Sequence, residues 1–178
     1  MTPYDKLRPF DKESGDLNVV IETPKGSRNK FDYDPKKGLF KLGGVLPAGA
    51  VFPFDFGFIP RTIGEDGDPV DVLVLMDEPA FTGCLVVARL IGGIEADQTE
   101  KDGETVRNDR LIAVASEAEL YKDVKSLSAV SDALLHEIEH FFVAYNQGIG
   151  KKFEPRARVG SRKAEALVKA GMKKARRG

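Results

Sequence analysis

Residues 64–75, GEDGDPVDVLVL, place three aspartates within six positions and then run into an apolar strand. In an extended chain Asp66 and Asp68, two apart, point their carboxylates the same way, while Pro69 fixes the backbone and Asp71 enters from the start of the following strand. Three anions in one spot repel unless cations sit among them or a carboxylate is protonated, and oxygen-only ligands select hard ions such as Mg2+. A solvated Asp-Gly turn explains Asp66 and Gly67 equally well, though not Asp71 at the mouth of a strand. Spacing alone leaves these two readings open. An EF-hand is excluded, because the sixth position of such a loop would be Asp71 instead of glycine and the twelfth Asp77 instead of glutamate.

A second literal motif is His136-Glu137-Ile138-Glu139-His140, the H-E-x-x-H of zinc proteases. It falls on a helix whose apolar stripe is built by Leu134, Ile138, Phe141 and Tyr145, which sets both histidines on the outer surface. The chain has no third histidine, so an exposed polar helix face is the expectation. Residues 150–178 hold 11 lysines and arginines against two acidic residues, leaving the remainder of the chain acidic. This basic segment lacks the interleaved aromatics and motifs of a nucleic-acid binder, so no nucleic-acid partner is expected. Gly43-Gly44 and Gly92-Gly93 are isolated pairs, not phosphate-binding glycine loops. Cys84 is the single cysteine and reads as buried packing.

The elements that must position these residues are short. LNVVIE (17–22), residues 30–33 and residues 39–42 read as strands, followed by a break at Gly43-Gly44. AVFPFDFGFIP reads as a bent, loop-like segment because Pro53, Gly57 and Pro60 interrupt its aromatics. Residues 70–75, 84–91 and 110–115 supply three more strands, the last two joined by a polar acidic loop, EADQTEKDGETVRND. From Ser128 the period turns helical until Gly148, and a second helix with a thin apolar face spans residues 161–177. Strands first and helices last, without regular alternation, indicate an α+β fold with a small, strongly bent sheet or barrel. With 178 residues, 42% hydrophobic, 31% charged and a net charge of −1, the expectation is a single soluble domain over 1–178. Neither a membrane-spanning run nor the apolar core of a secretion signal is read, so a cytoplasmic location and no membrane partner are expected.

The hexapeptide Asp66-Gly67-Asp68-Pro69-Val70-Asp71 resembles the D-G-D-P-x-D signature of the family I soluble inorganic pyrophosphatases, and it follows FGFIPRT as it does in that family. The resemblance begins at VVIETPKGSRNKFDYD, takes in NDRLIAVA, and ends with HFFVAY and the Gly150-Lys151-Lys152 turn. It implies Mg2+-dependent hydrolysis of pyrophosphate to two orthophosphates on a small five-stranded OB-like β-barrel with flanking C-terminal helices, usually as a homo-hexamer in bacteria. It also implies roles by matching position. Asp66, Asp68 and Asp71 ligate metal, with Asp68 also the base for the attacking water. Glu22 is an outer-sphere carboxylate, Lys30 and Tyr145 bind phosphate, and Arg110 stands where lysine is common.

Several positions depart from the family pattern. Gly44 replaces a phosphate-binding arginine, Phe52 and Phe56 replace tyrosines, Asp32 replaces a glutamate, and Asn146 replaces a lysine. Phe56 is retained as a substrate-binding position on the match alone. Asn108 falls where a metal-binding aspartate belongs, which makes Asp109 the candidate ligand beside it. Of Asp97 and Asp102, Asp102 is the preferred second loop ligand. Arg28, Arg61 and Lys41 are nearby cations able to compensate for lost contacts. These departures carry the alternative reading, a catalytically impaired scaffold that binds phosphate or metal.

Overall fold

The structure, a computed structural model, describes residues 3–177. After a single turn of helix, α1 (Pro3–Lys6), come β1 (Leu17–Thr23), the hairpin β2 (Asn29–Asp34) and β3 (Leu39–Val45), β4 (Asp55–Phe58), β5 (Asp71–Leu75), β6 (Leu85–Thr99), β7 (Thr105–Arg107) and β8 (Arg110–Ala115). A short 3₁₀ turn (Leu127–Ala129) then leads to α2 (Asp132–Gly148), β9 (Lys152–Gly160) and α3 (Ser161–Ala175). Strands β1, β4, β5, β8 and β6 pair in that order, and β6 returns to β1, closing a ring of five. The fold is thus α+β, as the order of elements in the sequence indicates, and a small five-stranded barrel with two C-terminal helices, as the resemblance implies. Closure explains why β5 and β8 are nearly continuous Val/Leu/Ile/Ala: apart from Asp71, every residue of both strands is buried.

β6 is fifteen residues long and belongs to two structures. Its first part pairs with β1 and β8 in the barrel, while its second part carries β7 on one edge and β9 on the other. The acidic segment expected to be a loop is therefore largely strand, closed by a tight turn in which Gly103 takes φ 89°. Other boundaries also differ from expectation. Gly43 and Gly44 lie inside β3 instead of ending it, and the Pro-interrupted aromatic segment contains β4. Gly57 permits that strand: a Cβ there would lie 2.1 Å from the Val20 carbonyl oxygen of β1. Cys84 precedes β6 and is only half-buried, with Leu85 beside it exposed, so the expected buried strand does not begin there.

α2 starts on an N-cap at Ser131, whose side chain accepts a hydrogen bond from the Leu134 N–H at 3.2 Å. Its buried residues are Leu135, Ile138, Phe142 and Asn146, so the core face is rotated slightly from the expected stripe. His136 and His140 stay exposed, and Glu139 is taken by Arg158 of β9, with Nε–Oε1 at 2.7 Å. α3 explains the basic tail. Its Gly171 carbonyl accepts from the Ile63 N–H at 3.1 Å, its Lys174 ammonium donates to the Gly64 carbonyl at 2.7 Å, and Val70 packs against Gly171. The last helix therefore buttresses the segment that carries the three aspartates. Among the described residues no helix is long and apolar enough to cross a membrane.

Candidate active site

The aspartate segment is a turn, not extended chain. Gly67 adopts φ 92°, a left-handed conformation glycine takes without a Cβ penalty, and the Gly64 N–H donates to the Asp68 carbonyl at 2.7 Å. Asp66 accepts from the Asp68 N–H at 3.2 Å, an Asx-type contact, so part of the turn reading holds. Asp71 leaves the turn as the first residue of β5. The turn opens onto a cavity of about 960 Å³ lined by Glu22, Lys30, Phe56, Asp66, Asp68, Asp71, Arg110 and Tyr145. Topology makes the gathering possible. Among the described residues β5 and β8 are the only parallel neighbours in the ring, and the Val72–Leu111 register sets Asp71 beside Arg110, 39 residues away. Glu22 comes from β1, Lys30 from β2 and Tyr145 from the last turns of α2.

Burial governs the electrostatics. Arg110 Nη1 donates to Asp71 Oδ2 at 2.6 Å and to Asn108 Oδ1, and its guanidinium carbon lies 5.8, 5.0 and 5.4 Å from the ring centroids of Phe56, Phe142 and Phe153. Loss of solvent pushes Asp71 up to about 6, although Arg110 pulls the other way. Glu22 accepts from the Tyr33 N–H at 2.7 Å, yet burial, reinforced by the charge of Asp71, drives it up to about 7. Burial likewise raises Asp66, lowers Lys30 and pushes the Tyr145 hydroxyl up to about 12. Lys30 is paired with Asp32 on the same strand.

The loop candidates are placed differently from the expectation. Asp109 accepts from the Ala96 N–H and from Arg107 Nε, each at 3.0 Å, and lines a second, smaller pocket of about 70 Å³ that Asp66, Asp71 and Asn108 also border. Asp102 sits exposed at the tip of the β6–β7 turn, accepting from the Glu104 N–H at 3.0 Å, and Asp97 is paired with Arg156 at 2.7 Å. The residues that reach the cavity are Gln98, Glu100 and Asn108. They form a polar chain: Asn108 donates to Gln98 at 3.1 Å, Gln98 to Glu100 at 2.5 Å, and Lys151 pairs with Glu100 at 2.7 Å. Strand alternation would have found them, had the segment been read as strand.

The departures have structural counterparts. Gly44 lies opposite Lys30 in the hairpin, with open space where a Cβ would stand. Phe52 and Phe56 are buried; Phe52 packs edge-on to Phe141 at 5.0 Å and lies 6.0 Å from the Tyr145 ring. Asn146 lines the cavity but donates to the Phe142 carbonyl of its own helix at 2.8 Å. Of the nearby cations, Lys41 and Arg61 line the cavity, whereas Arg28 donates to the Leu46 carbonyl at 2.8 Å. Arg61 holds φ 56°, a left-handed backbone unusual for a residue with a side chain.

A profile for the family described as inorganic pyrophosphatase matches residues 19–176. The chain belongs to the inorganic pyrophosphatase family. It is 39% identical over 153 residues to an inorganic pyrophosphatase of Halalkalibacterium halodurans, covering 85% of this chain and 90% of that one. It is 38% identical over 160 residues to one from Streptomyces coelicolor, covering 89% and 95%. The crystal structure of inorganic pyrophosphatase from Thermus thermophilus superposes with a TM-score of 0.86 at 32% identity, covering 97% of this chain and 98% of that one. In this pyrophosphatase-family chain the donors suit a hard divalent ion, being carboxylate oxygens beside cationic side chains. Among the described residues no three acidic or histidine side chains are gathered tightly enough to hold an ion alone. The donor set suits a divalent ion held through one or two carboxylates together with waters and substrate phosphates.

The raised carboxylates set a pH dependence for the metal-free protein. Glu22 moves from an ordinary 4.5 to about 7 and Asp71 from 3.8 to about 6, so between those values the folded state binds more protons than the unfolded one. Stability is then expected to fall as pH rises from about 4 to about 7, and to level off above. Urea unfolding with a chelator present reads this directly. A stability that rises across that window contradicts the assignment.

Proposed function

We propose that the protein hydrolyses inorganic pyrophosphate to two orthophosphates with Mg2+, in the cytoplasm, as a homo-oligomer of the hexameric kind. The observation that carries this is the convergence, in one cavity, of the carboxylates Glu22, Asp66, Asp68 and Asp71 with the donors Lys30, Arg110 and Tyr145. Asp66, Asp68 and Asp71 would hold Mg2+, which when bound neutralises phosphate charge and acidifies water. Lys30, Arg110 and the Tyr145 hydroxyl bind and orient the phosphates, so that little beyond positioning and electrostatics is needed for transfer to water. Asp68, exposed at the cavity's edge, takes the proton from the attacking water. Glu22 contributes a further carboxylate behind them. Colorimetric phosphate release from pyrophosphate, titrated with Mg2+ and abolished by chelator, tests this; no release with any divalent metal at neutral to alkaline pH refutes it.

The binding-module alternative is favoured by one observation, the pairing of Asp71 with Arg110 at 2.6 Å, which commits one oxygen of a metal-ligand candidate to a side chain. The second oxygen of Asp71 and both neighbouring aspartates weigh toward catalysis.

A further inference from the structure

Three oxygens of different kinds surround one nitrogen at the floor of the cavity. Arg110 Nη1 meets the carboxylate Oδ2 of Asp71 at 2.6 Å, the amide Oδ1 of Asn108, and the main-chain carbonyl of Asp109 at 3.3 Å. A guanidinium Nη carries two hydrogens, so three acceptors exceed its donor count. The nitrogen nearest the chain is treated otherwise: Nε is buried with no hydrogen-bond partner among the described residues, while three aromatic rings lie around the guanidinium carbon. The side chain is therefore not arranged to satisfy its own donors. It is arranged to deliver one nitrogen into an oxygen cage, and carboxylate, amide and carbonyl oxygens are the ligands of a hard cation. The cage is part of the fold, since Asp71 begins β5 while Asn108 and Asp109 lead into β8, the strand paired parallel to it.

We infer that Arg110 is a tethered cation: its Nη1 fills an oxygen cage that would otherwise take a divalent ion. The inference rests on the reading of the cavity as a metal-dependent hydrolase site and adds that one positive charge of that site is supplied by the chain. A guanidinium stays charged at any working pH and cannot dissociate. The protein thus holds one divalent ion fewer than its oxygen donors alone would gather, and Asp71 remains neutralised when metal is scarce.

The test is a count of bound Mn2+, read from free-ion EPR on the full chain without substrate, with melting temperature recorded in parallel. Arg110→Ala is expected to bind one more Mn2+ per chain than the unmodified protein, and added guanidinium ion to displace that extra Mn2+ and no other. Adding Asp71→Asn to Arg110→Ala should abolish the extra site, and Arg110→Lys should keep the original count. Should Arg110→Ala fail to fold, Arg110→Val, which suits the start of a strand, carries the same expectation. Equal Mn2+ counts in the unmodified protein and the folded neutral variant overturn the tethered cation, as does an equal gain in Arg110→Lys. Phosphate release by the unmodified protein is measured separately. Absence of release would refute hydrolysis, while an extra Mn2+ in the variant would still support the cage.

Discussion

Asp68→Asn is expected to lower the turnover of pyrophosphate by about a thousandfold while leaving the fold and pyrophosphate binding nearly intact. The magnitude follows from the roughly 10²- to 10⁴-fold that a positioned general base supplies. The fold should survive because Asp68 holds the turn through its backbone, its carbonyl accepting from Gly64 and its N–H donating to Asp66, and asparagine keeps both groups and nearly the same shape. Its side chain is exposed at the cavity edge, so no buried partner is orphaned. What is lost is a proton acceptor and one negative charge. Single-turnover kinetics, paired with competition binding of pyrophosphate, separates the two. Turnover within tenfold of the original would remove Asp68 from its assigned role, and lost binding with intact chemistry would make it a ligand only.

Gly57→Ala is expected to destabilise the protein by about 4 kcal/mol or more, at the exceptional end of single substitutions. The added Cβ would sit 2.1 Å from the Val20 carbonyl oxygen and 3.0 Å from the Ile21 Cα, both backbone atoms of β1. Ile21 is the ladder partner of Gly57, so relief requires parting β1 from β4 and opening the barrel. No flexible side chain is available to yield. Urea unfolding and the soluble yield read the effect; a loss below about 1 kcal/mol would show that the two strands can separate locally.

Gly57 also shows where the sequence was hard to read. Pro53, Gly57 and Pro60 carry the composition of a loop, yet the glycine is there because two strands approach closely, a tertiary cause with no local signal. α2 was legible because its helical period is local, and Asp66, Asp68 and Asp71 stood out by residue type and spacing, whereas Glu22, Lys30, Arg110 and Tyr145 came only from the resemblance to the family; all seven line one cavity. Asp102 and Asp109 came from matching the family pattern across a segment read as loop, where nothing in the sequence fixes the register. In β6 and the run into β8, alternation turns Gln98 and Asn108 to the cavity and sends Asp97 and Asp109 to Arg156 and Arg107. β9 was missed altogether, although KFEPRARVG alternates Phe153, Pro155, Ala157 and Val159 with charged residues; Pro155 inside the run and the basic composition of the segment masked a strand that pairs with β6. The docking of α3 on the aspartate turn could not be read from a row of lysines and arginines either.

The parallel pairing of β5 with β8 bears on the order in which the molecule assembles. Adjacent antiparallel strands such as β2 and β3 can zip through a short turn, but parallel neighbours need the chain to cross over, and here the crossover includes the whole of β6. Closing so long a loop costs entropy that is recovered only when both strands are seated, which makes such contacts slow to form. Asp71 and Arg110 are accordingly expected to meet only after local hairpins such as β2–β3 have formed. A growing or partly refolded chain would keep its acidic turn and its arginine apart and solvated until β5 and β8 are paired.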